Sequence, residues 1–502
     1  MKIRVISLLL VLCMIGSVLI SCSDAGTPEG ESTPANQPAN PTAGTSDEPS
    51  EDELSALEQR QRIPDDLPDV TFDGRSYTIE TETRKVYEIL SEELNGESCN
   101  DAVYNRNLTI EKRFDVKIGV IENETPYNEI VTSVTAGMHD YDVAGFINYL
   151  TLTPVSARVL YNWLDIPRVD LDKPWHNKLA NDDAMINDRL YAINSDLSIS
   201  TLLYTYGMFF NYNIMEQYGY TSSALYDIVF EGKWTIDRLT EISAGIWEDK
   251  NGNGKHDEDD IHGYGVINGQ INTHDVWLAA LDISPLLVIR AQDDYDVNIF
   301  TDRTVTALEK VNYLYHNSEG TFFGGSDWRG IPKMFAEGKL AMSQLYFGET
   351  TESLGDMQDT YGILPLPKLD EEQPGYYTNC WDQFTVFAVP KTMPEADAEF
   401  VGIIYEVLCA ETYKTVFPAY YDVALKSRYS AEPATAQMID LIMAGRKLDF
   451  TFQYGSKLQN LPYQFRVMVV NDDSNIASWY KKSQKSLNKN IEKFLKLFYE
   501  ED

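Results

Sequence analysis

Apolar residues recur along the chain at two different spacings, and the order in which the spacing changes outlines a fold. Tyr77-Thr78-Ile79 has the alternation of a strand, and Val116-Lys117-Ile118-Gly119-Val120-Ile121 alternates before ending in apolar residues. Between them Val103, Ile110 and Phe114 recur on one helical stripe, which predicts a helix over 100–114. Thr125-Pro126 is then a helix start, with Thr as N-cap and Pro at the first helical position. Tyr127, Ile130, Val131, Val134 and Met138 form the apolar face that follows, and 141–147 is a mostly buried strand. Strand, helix, strand, helix, strand predicts an α/β lobe with a largely parallel sheet.

Three further amphipathic segments follow. Trp234 to Trp247 is a helix with Thr235 as N-cap, a staple of Trp234 on Leu239, and Ile236, Leu239, Ile242 and Ile246 facing inward; both tryptophans are assigned to packing. Met393 to Cys409 is another, with Thr392 and Glu395 at capping-box spacing and Phe400, Ile403, Ile404 and Val407 inward. Ser483 to Tyr499 puts Leu487, Ile491, Phe494, Leu495 and Phe498 on one face and lysines on the other. A basic amphipathic helix suits a membrane surface or a partner, but at the end of an acidic body docking on that body is the expectation.

The N-terminus changes the picture. Lys2 and Arg4 precede an apolar run from Val5 to Ile20, shorter than a permanent anchor of about 20 apolar residues. This has the form of a secretion signal, and Leu19-Ile20-Ser21-Cys22 resembles a bacterial lipobox. The resemblance implies cleavage after residue 21, lipid on Cys22, and an extracytoplasmic body anchored to the cell membrane through that lipid alone. An ordinary secretory signal or a single anchor helix are the competing accounts. From Ser23 to about Arg62 the chain is Ser, Thr, Pro, Gly, Ala, Asn and acid, too polar to offset its ordering entropy. Residues 22–66 are therefore taken as lipidated cysteine and tether, about 35 Å in r.m.s. reach. The body of about 440 residues is too long for one core and suggests two lobes or more.

A net charge of −37 argues against nucleic acid and anionic lipid heads as partners. Cys99, Cys380 and Cys409 remain in the body, an odd number without CxxC spacing, which allows one disulfide at most and suggests no zinc site. Thirty-one Tyr exceed 20 Phe and 8 Trp, favouring surfaces that are flat and also hydrogen-bonding. Core filling accounts for many of these rings, but a sugar-binding cleft needs the same combination.

Five segments in order are similar to one family. Phe335-Ala336-Glu337-Gly338-Lys339-Leu340-Ala341-Met342, Tyr361-Gly362-Ile363-Leu364-Pro365-Leu366-Pro367-Lys368 and Phe387-Ala388-Val389-Pro390-Lys391 resemble consecutive segments of the bacterial extracellular solute-binding proteins, family 1. Upstream, Gly232-Lys233-Trp234-Thr235 with Leu239 resembles that family's helix start, and Phe209-Phe210-Asn211-Tyr212-Asn213 its first crossover strand, without the usual lysine. The resemblance implies an α/β, two-lobed, type II periplasmic-binding-protein-like fold with discontinuous lobes and no catalysis. Lobe I would hold 67–205 and 346–389, and lobe II 206–345 and 390–502. Crossovers would lie near Tyr204–Asn211, Tyr346–Glu349 and Val389–Pro390. A monomer with a carbohydrate in the interlobe cleft, delivered to the permease of an ABC importer, is the implied function.

Candidate ligand contacts are the aromatics near crossovers and loop tips: Tyr204, Tyr206, Trp328 with Arg329, Tyr346, Phe347, and Trp381 with Asp382. Tyr346 and Phe347 fall where the resemblance implies a stacking ring. For each, core or hinge packing competes with ligand contact. A second candidate is the loop 249–260, which follows the EF-hand pattern: side-chain oxygens from Asp249, Asn251, Asn253, Asp257 and Asp260, a turn at Gly254 and the carbonyl of Lys255. Its departures are Asp for Glu at the last position, His256 where an apolar residue is usual, and no second helix. A structural Ca2+ is the expectation, and an acidic turn that binds nothing the alternative. The motifs of serine hydrolases, zinc proteases and P-loop enzymes are absent. A carboxylate pair of a surface glycosidase is not excluded by sequence, and a peptide receptor or a signalling lipoprotein without importer also remains.

Overall fold

β1 (Arg75–Thr81), β2 (Val116–Glu122) and β3 (Val143–Ile147) pair in parallel, with Tyr77 opposite Ile118 and Ile79 opposite both Val120 and Val143. The computed structural model describes residues 56–421 and 433–500, so the proposed signal, Cys22 and most of the tether lie outside the described residues. The crossovers are the helices Ser98–Phe114 and Pro126–Thr135. The second differs from expectation at both ends. Thr125 makes no side-chain cap, and Pro126 alone sets the first turn. The helix stops at Thr135, so Met138 falls beyond it and is exposed.

A second sheet follows. β4 (Tyr206–Asn211), β5 (Trp247–Glu248) and β6 (Ile261–Ile267) precede a separate hairpin of β7 (Leu287–Ala291) and β8 (Asp294–Val297). Then come β9 (Thr321–Gly324), β10 (Leu340–Tyr346) and β11 (Tyr361–Leu364). The order is β11-β4-β10-β6-β5, with β9 on β6. β4 runs antiparallel to both neighbours, which places Tyr346 opposite Tyr206. β12 (Thr385–Ala388) returns to the first sheet, antiparallel to β3.

These pairings move the expected crossovers. The outgoing segment is at 204–206, as expected. The return is not at Tyr346–Glu349, because β11 still pairs with β4 in the second sheet. It lies at 378–384, where Tyr206 N–H donates to Asn379 O and Trp381 N–H to Tyr204 O. Nor does the chain cross at Pro390, which bridges Leu160 beside the first sheet. The helix Ala398–Glu411 packs there too: Phe400 meets Phe72 edge-on at 4.8 Å, and a Cβ on Gly402 would lie 1.9 Å from Pro167 O. The boundaries drawn at 346 and 390 thus do not follow sheet membership. Backbone pairing rather than local pattern decides them.

The remaining helices behave as amphipathic segments should, with local corrections. Ile236–Ala244 is capped by Thr235, whose hydroxyl accepts from Arg238 N–H, and Trp234 is fully buried with its indole N–H on Pro365 O at 2.8 Å. Trp247 leaves this helix for β5 and stacks on His256 at 4.2 Å, so it is not a core residue. Thr392 forms no capping box; its hydroxyl donates to Met138 O at 2.6 Å. The last helix, Ile476–Tyr499, buries the five predicted residues on the body, Phe494 lying 4.8 Å from Tyr454. The three body cysteines are buried and free.

Candidate functional site

Two backbone relationships gather four rings. The β4–β10 register brings Tyr206 and Tyr346 together, with ring centroids 6.0 Å apart in an edge-on arrangement. The returning segment, held on the outgoing one by Trp381 N–H and Tyr204 O, adds Trp381 at 5.7 Å from Tyr346 and 5.0 Å from Tyr204.

Beside this cluster is a cavity of about 360 Å³, lined by Tyr206, Tyr346, Trp381 and Trp328. Its apolar wall is Ile267, Ile271, Ile331, Pro332 and Leu345, and Asn272, Gln344 and Glu349 supply polar atoms. Asn272 Nδ2 donates to Tyr206 Oη at 2.6 Å, which fixes that ring's edge. Tyr264 Oη donates to Gln344 Oε1. Tyr346 Oη donates to Glu352 Oε2 at 2.9 Å. Glu349 is buried and its Oε2 has no hydrogen-bond partner of normal geometry among the described residues; burial raises its pKa. Flat faces with a few oriented polar groups are what a solute with both C–H faces and hydroxyls needs.

Of the eight residues expected to contact ligand, Tyr206, Trp328, Tyr346 and Trp381 line this cavity. Tyr204 stands behind Tyr346 and Trp381, with Lys85 Nζ 4.3 Å over its ring. Burial brings the Lys85 ammonium down to about 8. Phe347, one residue beyond Tyr346, points to the other side of the strand and is core, 1% exposed. Arg329 is exposed, its guanidinium 4.5 Å from the Trp328 ring centroid. Asp382 lines a separate, smaller cavity with Asn148, Asn194 and Asn379. Burial pushes its carboxyl up to about 6, and Tyr463 Oη reaches it at 3.4 Å. Nearby, Arg466 Nε donates to Asp275 Oδ1 at 2.9 Å, and Nη2 to Oδ2. Sequence reasoning missed Asn272, Gln344 and Glu349. Nothing local distinguishes them; the strand register and the loop after β6 bring them to the rings.

The loop 249–260 folds on its own side chains. The Asp249 carboxylate accepts the N–H groups of Gly252, Asn253 and Gly254, at 2.7, 3.2 and 2.8 Å. Asn251 Nδ2 and Asn253 Nδ2 both donate to the Asp257 carboxylate, at 3.1 and 2.6 Å, so these three side chains share one end of the loop. Asp260 is fully buried and accepts the N–H of Lys250 and of Asp257, closing the base of the loop. Lys255 directs its N–H to Asn253 Oδ1. No group of three His, Cys, Asp or Glu poised for a metal occurs among the described residues. The oxygens of Asp249, Asn251, Asn253 and Asp257 are nonetheless hard donors of the kind calcium takes.

No family model matches the chain, and no curated protein matches it by sequence. Solved structures share its fold. A cyclic alpha-maltosyl-1,6-maltose binding protein from Arthrobacter globiformis superposes with a TM-score of 0.56 at 13% identity, covering 84% of this chain and 100% of that one. UgpB from Mycobacterium tuberculosis, in complex with glycerophosphocholine, gives 0.52 at 13%, over 84% and 99%. An ABC substrate-binding protein from Listeria monocytogenes, in complex with cycloalternan, gives 0.50 at 14%, over 84% and 99%. The likeness is one of fold, a two-lobed α/β architecture matched over nearly the whole length of each of those chains.

Proposed function

We propose that this chain is a solute-binding receptor of an ABC importer, without catalytic activity, and that it takes a carbohydrate into the cavity of Tyr206, Trp328, Tyr346 and Trp381. The observation that carries the reading is the convergence of four aromatic side chains, from four separate segments, on one cavity. Such rings stack on the C–H face of a pyranose while Asn272, Gln344 and Glu349 meet hydroxyls. The fold is shared with proteins named for maltosyl-maltose and cycloalternan, which supports the same class here. Closure of the two sheet-bearing parts about the paired segments at 204–206 and 378–384 fits a hinge that traps ligand.

The receptor works outside the cell as a monomer, held by lipid on Cys22 and a polar tether. No helix among the described residues is long and apolar enough to cross a membrane. The lipid keeps captured solute near a permease at high local concentration. Metabolic labelling with palmitate is expected to mark the unmodified chain and to be lost in Cys22→Ser; absence of label on the unmodified chain would rule the anchor out. The loop 249–260 takes calcium as a structural ion through Asp249, Asn251, Asn253 and Asp257.

A thermal-shift screen of oligosaccharides against peptides tests the main reading. A stabilising shift with a glycan, lost in Trp381→Ala, is expected. Shifts with peptides alone would overturn it.

A further inference from the structure

Among the described residues, Glu349 is the one charged side chain lining the aromatic cavity, with no Lys or Arg beside it in that lining. It is 2% exposed, and its Oε2 has no hydrogen-bond partner of normal geometry among the described residues, although the Ser353 and Tyr346 side chains lie near enough to favour its ionised form. A carboxylate left so in an apolar setting is unfavourable unless a donor or a cation meets it. The nearby cations do not. Arg329 attracts it from a distance but is exposed beside Trp328. Lys85 is held over the Tyr204 ring. A second carboxylate, Glu352, sits on the Tyr346 hydroxyl at 2.9 Å, so the local charge is more negative still. The remaining walls include the rings of Tyr206, Trp328, Tyr346 and Trp381, whose negative faces attract cations.

We infer that the cavity is built for a solute bearing a cationic nitrogen, an amino sugar being the form that follows if the ligand is a carbohydrate. The ammonium group would donate to the Glu349 carboxylate, while the ring faces cover its C–H surface. A neutral glycan offers the carboxylate hydroxyl hydrogen bonds alone, without the opposite charge that offsets its desolvation. The discrimination therefore resides in Glu349, and the aromatic residues serve both kinds of ligand. This inference rests on the carbohydrate reading of the same cavity, and the test separates the two.

The experiment is isothermal titration of the mature chain with four probes: a β-1,4 glucosamine tetramer, its N-acetylated form, cellotetraose, and spermidine as a cationic solute that is not a sugar. The glucosamine tetramer is expected to bind at least tenfold more tightly than the other two glycans. Glu349→Gln should erase that preference. Equal or tighter binding of the acetylated or neutral glycan to the unmodified chain overturns the inference and leaves the carbohydrate reading standing. Binding of spermidine with no glycan overturns the carbohydrate reading and keeps the cationic one. No binding to any probe by folded protein overturns both. The comparison on the unmodified chain decides the matter even if Glu349→Gln does not fold.

Discussion

Trp381 donates its backbone N–H to the carbonyl of Tyr204 at 2.9 Å, and their rings stand 5.0 Å apart. The outgoing and returning segments are thus tied together where the aromatic cluster is built. Ring placement and hinge geometry are one structural fact, and this gives the first prediction. Trp381→Ala removes a cavity wall and a packing partner of Tyr204 and Tyr346. Ligand affinity should fall by about 2 kcal/mol, roughly 30-fold in Kd. Phe347→Leu, in the core beyond the cavity, should leave affinity within twofold while lowering Tm. Titration calorimetry and thermal unfolding of the two variants distinguish these roles.

The Arg466–Asp275 pair is buried, and burial pushes the Asp275 carboxyl up to about 6 against the pull of Arg466. Removing only the cation leaves a buried charge without its counter-ion. Arg466→Met should therefore cost about 3–5 kcal/mol in unfolding free energy. Adding Asp275→Asn to Arg466→Met should recover much of that loss. Denaturant unfolding of the single and double variants measures the coupling.

Half-buried Asp183 approaches buried Asp449, and burial first, then the charge of its neighbour, raises the Asp183 pKa. An acid with a folded pKa above its unfolded value of about 3.9 contributes stability that is complete below that value and is lost as pH rises through the folded pKa. Stability should accordingly decline as pH is raised from about 4 towards 8. Asp183→Asn, which keeps an oxygen for Phe450 N–H, should flatten that decline. His274 acts on the opposite limb. Burial brings its imidazole down to about 3, so it costs stability as pH falls below about 6.5. Thermal unfolding across this range shows both limbs, and a decline equally steep in Asp183→Asn would remove the pair as its cause.

Gly402 allows the helix Ala398–Glu411 to lie against the carbonyl of Pro167, where an added Cβ would come within 1.9 Å of a backbone oxygen. Gly402→Ala must displace the helix from the first sheet. A loss of about 1–3 kcal/mol is expected by denaturant unfolding. Gly330→Ala, with open space around the added methyl, is the matched control and should change little.

Calcium at about 100 times its Kd should stabilise the protein by about 2.7 kcal/mol if the loop 249–260 holds the ion only in the folded state. Asp249→Ala, which also removes the acceptor of three loop N–H groups, should abolish the shift. A chelator that leaves the unmodified chain's Tm unchanged after exhaustive dialysis would count against calcium.

Local pattern carried a good deal of this protein. The β1–β3 alternation, the helical stripes through Ile110 and through Phe494, and the cap at Thr235 each depend on neighbours within a turn or two, so periodicity and capping chemistry display them. Four of the eight residues expected to contact ligand line the aromatic cavity, and their type and their place at strand ends and loop tips mark them in the sequence. What lay beyond local pattern were relations across the fold. Whether residues 361–364 belong to one sheet or the other depends on β4, some 150 residues away, through hydrogen bonds that every residue type can make. The same holds for Glu349, whose significance is not its identity but the absence of a partner of normal geometry inside a cavity drawn from distant segments. Phe347 and Tyr346 are adjacent aromatics with similar local preferences; the pairing of β10 with β4 sends one ring to the cavity and the other to the core.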